Sequence, residues 1–416
     1  MKRSFILLLL LSVYCWEARA QTKLPETNPE LVGVQSGRLQ RVEALVEGFV
    51  NDGKHAGVSY MVLRNGNIIQ HNQIGSQDID QGTPISEDTI FRIYSMSKVL
   101  TSVAALQLFE QGKINLTDDI SQWLPELKDL KVYTESRVGE NLVPMEQPIT
   151  IRMLLNHTAG FTYDFFEGSK VHELYKQQDL WNSSSLDEFI NKVAKLPLLS
   201  QPGKEFHYGI GLDLLGLIIQ RVSGLSFPEY LREHITKPLH MVDTKFYVEP
   251  SQMHRLSAMH QMGKDGQLEV ASPILGAFAE KGRGIPSGGG GLFSTIQDYA
   301  QFAQMLLNQG ELEGTRILGR KTMELALQNS LTETETPFNE FSVSDGWGLL
   351  GAVRLDVGAS QELGSKGMFY WSGAATTHFF VDPEEKLIGL VFAQHIPFDQ
   401  HHLFIPFRNT VYQALK

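Results

Sequence analysis

Residues 95–109 read SMSKVLTSVAALQLF, a Ser-x-x-Lys tetrapeptide that runs directly into an apolar segment closed by Gly112. An apolar surface nearly all round predicts a buried central helix over Val99–Phe109. If Ser95 opens that helix, Lys98 lies one turn further along the same face. Helix N–H groups can stabilise an oxyanion, and a desolvated lysine can accept a serine proton. Ser95 and Lys98 are therefore a candidate nucleophile and its base.

The composition limits what such a chain can do. Of 416 residues, 42% are hydrophobic and 20% are charged, which is typical of a folded globular protein. Acidic residues outnumber basic ones by 47 to 36, for a net charge of −11, and this balance argues against a nucleic-acid partner. The single cysteine, Cys15, excludes an internal disulfide framework and a cysteine-rich metal site.

The N-terminal segment has the pattern of a secretory signal peptide. Lys2 and Arg3 precede a short apolar run, and Ala18-Arg19-Ala20 forms a small-x-small cleavage site. The run is shorter than the ~20 residues of a membrane span. We therefore expect cleavage after Ala20 and a periplasmic or secreted protein without a stable membrane span. An uncleaved anchor is the alternative.

Both chain ends have the same organisation, in which a helix packs beside a strand hairpin. Ser36 is a candidate cap for a helix with Leu39, Val42 and Val46 on one face, and Gly57–Leu63 leads into an Asn65-Gly66 turn. Near the other end, residues 379–381 and 387–392 form a second hairpin before a helix over about 403–415. The pattern predicts one antiparallel sheet built from both chain ends.

The middle of the chain is mostly helical. Apolar periodicity indicates helices over residues 150–155, 186–195 and 213–222, and another after Ser294, which stands at capping-box spacing from Gln297. The fold class is therefore α/β (α+β), with a helical insertion.

Several other chemistries have weaker support. No G-x-S-x-G nucleophile elbow and no H-E-x-x-H metalloprotease motif occur. The glycine-rich segment 282–291 lacks a following Gly-Lys-Ser/Thr, so a close-packed or mobile loop explains it better than a phosphate site. A metal site on His395, Asp399, His401 and His402 is a minor alternative. We expect no metal or organic cofactor.

Six blocks, in order along the chain, resemble the serine β-lactamase and penicillin-binding superfamily on its class C side. They are Ser95–Ser102, Gly112–Asp119, Leu154–Gly160, Tyr208 with Asp213–Gly216, Gly290–Thr295 with Asp298, and Trp371–Ala374. The resemblance implies a β-lactamase-like fold with a central antiparallel sheet, flanking terminal helices and a mainly helical lobe. Residues 21–416 would be one catalytic domain, with an α/β lobe of about 21–95 and 285–416 and a helical lobe of about 96–284.

The resemblance also implies roles for individual residues. Ser95 would be the acylated nucleophile, Lys98 its base, and Tyr208 the proton shuttle to the leaving group. The N–H groups of Ser95 and Ala374 would form the oxyanion hole. The strand Trp371-Ser372-Gly373 would line the cleft as a substrate-binding wall. Packed core aromatics are the alternative interpretation of Tyr208 and Trp371.

Two departures from the class C pattern favour ester substrates. Tyr-x-Asn is here Tyr208-Gly209-Ile210, and the Lys of Lys-Thr-Gly is here Trp371. A substrate carboxylate would lose its counter-charge, while a neutral acyl group would gain an apolar wall. The chain thus resembles family VIII carboxylesterases, which implies a small-molecule ester substrate. Alternatives are a β-lactamase or D-alanyl-D-alanine peptidase, an acyltransferase and, least favoured, a non-catalytic binding protein.

Overall fold

The computed structural model describes residues 23–136, 139–274, 277–331 and 342–416. The signal peptide predicted for residues 1–20 lies outside this part of the chain. Within it, none of the helices combines the length and the apolar character that a membrane span requires.

Seventeen strands are described, and eight of them form the main sheet. The strands are β1 Gly57–Arg64, β2 Asn67–Asp78, β3 Thr83–Pro84, β4 Phe91–Arg92, β5 Lys131–Ser136, β6 Gly139–Pro144, β7 Met259–Met262, β8 Leu268–Ala271, β9 Phe293–Ser294, β10 Glu311–Leu312, β11 Thr315–Arg316, β12 Asp345–Trp347, β13 Ala352–Arg354, β14 Phe369–Gly373, β15 Thr377–Asp382, β16 Leu387–Phe392 and β17 His395–Ile396. The main sheet has the order β12-β13-β14-β15-β16-β1-β2-β3. Within it, the pair β16 and β1 is antiparallel and joins the two chain ends, which confirms the predicted sheet.

The described helices cover both faces of this sheet. They are α1 Ser36–Asn51, α2 Ser97–Glu110, α3 Ile151–Leu155, α4 Lys170–Gln177, α5 Leu186–Val193, α6 Gly211–Ser223, α7 Phe227–Leu231, α8 Ile296–Leu307, α9 Arg320–Ala326, α10 Val357–Ser360 and α11 Phe404–Tyr412. Every residue of α2 from its start to Leu108 is buried, as its apolar sequence predicts.

Alternation along the strands separates two hydrophobic cores. In β1, Tyr60 and Val62 face a smaller core with α1 and α11, whereas Met61 and Leu63 face the large core that contains α2. Because side chains on a strand alternate between the two faces, each central strand contributes to both cores. The fold thus has the α/β arrangement expected from the sequence, with an antiparallel sheet flanked by the terminal helices α1 and α11. The division into two lobes at given residues stays a prediction.

Two predicted helix caps were wrong by one residue, and two hairpins were not predicted. Ser36 is the first residue of α1 and Gln35 is its N-cap. Thr295 rather than Ser294 caps α8, because its side chain accepts the Asp298 N–H. The middle of the chain also contains the hairpins β5–β6 and β7–β8, which the helical periodicity did not indicate.

Candidate active site

Ser95 lies just before the central helix rather than at its first turn. It belongs to a 3₁₀ turn over Tyr94–Met96, and α2 begins two residues later at Ser97. Tyr94 has φ +40°, a left-handed conformation that costs a bulky residue on the order of 1–3 kcal/mol. The carbonyl of Met96 accepts a hydrogen bond from the buried Tyr299 hydroxyl at 3.1 Å. The core therefore holds a strained turn that presents Ser95 to a cavity.

Lys98 is held against Ser95 from within the core. Its Nζ lies 3.1 Å from Ser95 Oγ and donates to the Gly289 carbonyl at 2.7 Å. The residue is only 3% exposed, and this burial lowers the pKa of the amine to about 7, against an opposing effect of the Asp213 carboxylate. At neutral pH a large share of the amine is uncharged. A neutral amine at this distance can accept the Ser95 proton.

Asp213 fixes the glycine-rich segment that contacts Lys98. It is fully buried on α6, and its Oδ1 accepts hydrogen bonds from the Ser287 hydroxyl and, at 2.9 Å, from the Gly289 N–H. A Cβ at Gly289 would lie 2.4 Å from Asp213 Oδ2 and 2.5 Å from the Tyr163 hydroxyl. Only glycine fits there. The expected loop is therefore close-packed at this point, and it positions the carbonyl that holds Lys98.

Tyr208 also contacts the Ser95 hydroxyl, and its ring lies 4.6 Å from Lys98 Nζ. Burial raises the pKa of its phenol, and hydrogen bonds with Ser95 and Trp371 lower it only partly, so the phenol keeps its proton at neutral pH. The Trp371 indole N–H donates to the Tyr208 hydroxyl at 3.1 Å. His157 packs on the Tyr208 ring with centroids 4.6 Å apart, and its Nδ1 accepts from the Gly209 N–H. These contacts fix the phenol as a proton donor.

The strand β14 brings its end to the nucleophile. A Cβ at Gly373 would lie 2.3 Å from the Ile93 carbonyl, so glycine allows β14 to pass directly beside the turn that holds Ser95. Ala374 follows this point and shares a cavity wall with Ser95. The Ser372 hydroxyl lies 2.8 Å from Nδ1 of the buried His378. The structure thus gathers all of the site residues predicted from the sequence, and their roles stay predictions.

Two cavities meet at Ser95. The aromatic chamber, of about 330 Å³, is walled by Tyr94, Tyr163, Trp181, Ile274 and Ile396. The mixed chamber, of about 440 Å³, is walled by Tyr208, Tyr370, Trp371, Phe404 and Ile405 together with ionisable side chains. Both chambers share four residues: Ser95, Phe165, Ala374 and Phe398.

The four residues weighed as metal ligands do not form a site together. His395 and His401 lie close, with ring centroids 5.2 Å apart, but their shared neighbour is His55 rather than Asp399. Across the described ranges, no group of three or more His, Cys, Asp or Glu side chains is arranged to hold a metal ion.

Sequence reasoning missed the residues that fix the Gly289 carbonyl, to which the Lys98 amine donates. Asp213 entered only as part of a motif, and Ser287 and Gly289 only as part of a loop. One signal was available, because Asp213 stands in the first turn of an otherwise apolar helix, where a buried carboxylate needs a partner. Its partners lie more than 70 residues away along the chain, and no local pattern connects them.

A serine hydroxyl between a buried amine of lowered pKa and a protonated phenol is typical of serine hydrolases and acyl-transfer enzymes. Residues 42–402 match the family described as Beta-lactamase. The chain therefore belongs to the beta-lactamase family, and its esterase and acyltransferase homologues support serine hydrolase activity.

Individual relatives agree with this assignment. Protein Rv1367c of Mycobacterium tuberculosis (strain ATCC 25618 / H37Rv) is 33% identical over 85% of this chain and 90% of its own length. Esterase EstB of Burkholderia gladioli is 26% identical over 84% of this chain and 88% of its own length. Among solved structures, EstCE1, a hydrolase with promiscuous acyltransferase activity, superposes with a TM-score of 0.77 at 26% identity, covering 90% of this chain and 99% of that one.

Proposed function

We propose that this protein hydrolyses carboxylic esters through an acyl-enzyme on Ser95. One observation carries the proposal: the Lys98 amine, its pKa lowered to about 7 by burial, lies 3.1 Å from the Ser95 hydroxyl oxygen. A base with a pKa near the working pH transfers protons most effectively.

The reaction uses two proton carriers. Ser95 Oγ bonds to the ester carbonyl carbon as its proton passes to Lys98 Nζ, and the N–H groups of Ser95 and Ala374 stabilise the oxyanion. The bond to the alkoxy oxygen then breaks, that oxygen keeps the electron pair, and the Tyr208 phenol supplies its proton. Lys98 returns its proton to Tyr208. Water releases the acid by the same steps in reverse.

The residue that replaces a lysine in strand β14 favours esters over β-lactams. The Trp371 indole provides one N–H donor and no charge, and that donor is directed at Tyr208. Ile210 stands in the position of the class C asparagine, is fully buried and has no side-chain amide to donate a hydrogen bond. Parallel kinetics with a chromogenic cephalosporin and an ester test this ranking, since a clear preference for the lactam would reverse it.

Acyl transfer to an alcohol is a second candidate. The likeness to EstCE1, whose transferase activity accompanies hydrolysis, favours it. An alcohol would enter the same acyl-enzyme in place of water. Product analysis with and without an added alcohol separates the two reactions.

The decisive test is the Ser95→Ala variant with short-chain p-nitrophenyl esters. We expect loss of nearly all activity, and intact-mass measurement of the parent should detect an acyl adduct on Ser95. A variant that hydrolyses the esters as fast as the parent would show the mechanism to be wrong. Labelling by a fluorophosphonate probe addresses the non-catalytic alternative, because a folded binder without an activated serine would not react.

We also propose that the protein is exported, on the basis of the signal-peptide pattern in residues 1–20. The mature protein should then begin at Gln21. N-terminal sequencing of the protein recovered from a periplasmic or culture fraction tests this. A cell-associated protein that retains residues 1–20 would contradict it.

A further inference from the structure

The two chambers give an ester two ways to extend from Ser95. A carbonyl carbon bonded to Ser95 Oγ carries two other substituents besides its oxygen, the acyl chain and the alkoxy group. Ser95 and Ala374 line both chambers, so the reacting carbon lies where they meet. Each chamber can then receive one substituent, and the arrangement of proton donors decides which.

Tyr208 lines the mixed chamber and is absent from the wall of the aromatic chamber. The alkoxy oxygen must come within hydrogen-bonding distance of the acid that protonates it. The aromatic chamber has two phenols of its own, Tyr94 and Tyr163. The Tyr94 hydroxyl accepts from the Ile274 N–H at 3.2 Å and the Tyr163 hydroxyl donates to Asp213 Oδ2 at 3.3 Å, whereas the Tyr208 phenol shares a hydrogen bond with Ser95 itself. The alkoxy group therefore belongs in the mixed chamber and the acyl chain in the aromatic chamber.

The aromatic chamber suits an apolar acyl group. None of the described side chains that line it is charged, and its wall includes Tyr94, Tyr163 and Trp181. Its volume of about 330 Å³ corresponds to roughly ten water-sized groups. Apolar burial and ring stacking there favour a branched or ring-bearing acid over acetate.

The mixed chamber suits a polar but uncharged alcohol. Its ionisable lining includes Asp345, Glu362 and Arg408. Asp345 pairs with the buried Arg354, while Glu362 pairs with both Arg354 and Arg408. These ion pairs leave no unmatched cation among the described lining residues, and the remaining carboxylate, Asp399, already accepts the Leu403 N–H at 2.7 Å. An anionic alcohol would therefore meet no free cation, a cationic one would meet only a carboxylate that is already hydrogen-bonded, and either would lose its hydration. A hydroxylated neutral alcohol can instead exchange hydrogen bonds with this polar wall.

We propose that the enzyme selects esters of apolar, ring-bearing acids with neutral, hydroxylated alcohols, and that Ile274 and Ile405 limit the acyl and alcohol sides respectively. This inference rests on the proposed ester hydrolysis. In the acylation step the Ser95 Oγ–carbon bond forms and the carbon–alkoxy bond breaks. The alcohol leaves through the mixed chamber with the Tyr208 proton, while the acyl group stays in the aromatic chamber until water attacks.

Ile274 and Ile405 make a matched pair for a crossover experiment. They line different chambers and are 36% and 43% exposed, so a larger side chain at either position can be added at the cavity rim. The substrates are four esters, the acetates and 4-phenylbutanoates of methanol and of glycerol. The readout is kcat/KM for Ile274→Trp and Ile405→Trp, with thermal unfolding as a folding control.

Ile274→Trp should lower kcat/KM for both phenylbutanoates about 10-fold and change methyl and glyceryl acetate little. Ile405→Trp should lower kcat/KM for both glyceryl esters by a similar factor and spare the methyl esters. If a tryptophan variant does not fold, Ile274→Ala and Ile405→Ala can replace it. These substitutions enlarge the respective chambers and provide the same comparison in the opposite direction. The reverse assignment, or equal losses for all four esters, would overturn the inference.

A partition measurement gives an independent readout on the acyl-enzyme itself. With methyl phenylbutanoate and added glycerol, Ile405→Trp should lower the ratio of glyceryl ester to free acid, whereas Ile274→Trp should leave that ratio unchanged. A ratio that moves only in Ile274→Trp contradicts the assignment of the chambers. If the parent forms no adduct on Ser95 with any ester, the proposed function fails as well. An adduct with the wrong crossover pattern overturns only the present inference.

Discussion

The amine of Lys98 is subject to opposing influences at the scale of a few ångströms. The rings of Tyr208 and Tyr163 lie 4.6 and 5.0 Å from Nζ, and aromatic faces favour a cation. The Asp213 carboxylate also favours the ammonium form, but removal from water favours the neutral amine and dominates. The resulting pKa of about 7 lets a lysine act as the base of the site.

This pKa predicts the pH dependence of the reaction. Only the neutral amine accepts the Ser95 proton, so kcat/KM should rise as the pH increases through about 7 and then level off. Asp213→Asn removes a charge that raises the pKa of Lys98, and the rise should therefore move to lower pH. Initial rates with a p-nitrophenyl ester between pH 5 and 9 measure both, with product detected at its isosbestic wavelength. An unchanged midpoint in Asp213→Asn would contradict an electrostatic role for that carboxylate.

A second residue-scale prediction concerns the indole that contacts Tyr208. Trp371→Phe keeps an aromatic ring but removes the N–H that donates to the phenol oxygen at 3.1 Å. We expect kcat to fall about 10-fold, equivalent to about 1.4 kcal/mol, because the acid loses its fixed orientation. Trp347→Phe is the control: its indole packs on Trp371, but its N–H donates to the Leu155 carbonyl. If both variants lose kcat equally, aromatic packing rather than the hydrogen bond to Tyr208 is responsible.

At the scale of elements, the segment 287–291 acts as a wedge between two buried helices. The Gly288 carbonyl accepts from Thr101 of α2, and the Gly289 N–H donates to Asp213 of α6. The same segment therefore fixes the distance between the helix that follows Ser95 and the helix that follows Tyr208. The catalytic geometry depends on this close contact as much as on the residues that react.

Two neighbouring glycines test this wedge. Gly289→Ala would place a methyl group 2.4 Å from Asp213 Oδ2, whereas the nearest atom to a Cβ at Gly290 lies 3.8 Å away. Gly289→Ala should therefore destabilise the fold by about 1–3 kcal/mol and reduce activity, while Gly290→Ala should leave stability nearly unchanged. Urea unfolding followed by tryptophan fluorescence provides the comparison. Equal stability of the two variants would mean that the segment relaxes and has no wedge role.

The same elements mark what the sequence could and could not provide. The apolar run after Lys98, the Asn65-Gly66 turn and the paired terminal hairpins were visible because they depend on local periodicity and turn chemistry. The contact of Asp213 with Gly289 and the left-handed conformation of Tyr94 arise only when distant segments pack together. Helix caps were misplaced by one residue, since Ser294 and Thr295 both qualify and only tertiary contacts select Thr295.

At the scale of the whole molecule, the two chain ends close the fold on the outer face of the sheet. The Gln35 N–H before α1 donates to the Ala414 carbonyl after α11 at 2.8 Å. Between these helices and the cavity, the ring of His55 lies 5.1 Å from that of His395 and 5.5 Å from that of His401. The segment that carries the latter two histidines also supplies Phe398 to both chambers. The cluster therefore joins the loop after α1 to the segment that lines the active site.

This cluster predicts how the stability of the protein responds to acid. Burial, and then the nearby His395, His401 and Lys54, lower the pKa of His55 to about 3 from an ordinary value of 6.5. The unfolded chain binds the proton first, so stability is lost as the pH falls below 6.5 and continues to fall until about 3. Well inside that pH range, each proton that is taken up on unfolding lowers the free energy of unfolding by about 1.4 kcal/mol for every pH unit of acidification.

His55→Leu should flatten the acid side of the stability curve. Neither ring nitrogen of His55 has a hydrogen-bond partner among the described residues, so an apolar side chain leaves no orphaned group and should fold well at pH 7.5. Urea unfolding between pH 4.5 and 7.5 gives the free energy of unfolding as a function of pH. This free energy should depend on pH less steeply in His55→Leu than in the parent, by the amount that corresponds to about one proton. His254→Leu, at an exposed position, is the matched control for a His-to-Leu substitution as such. Parallel curves for the parent and His55→Leu would mean that acid destabilises this fold through other groups.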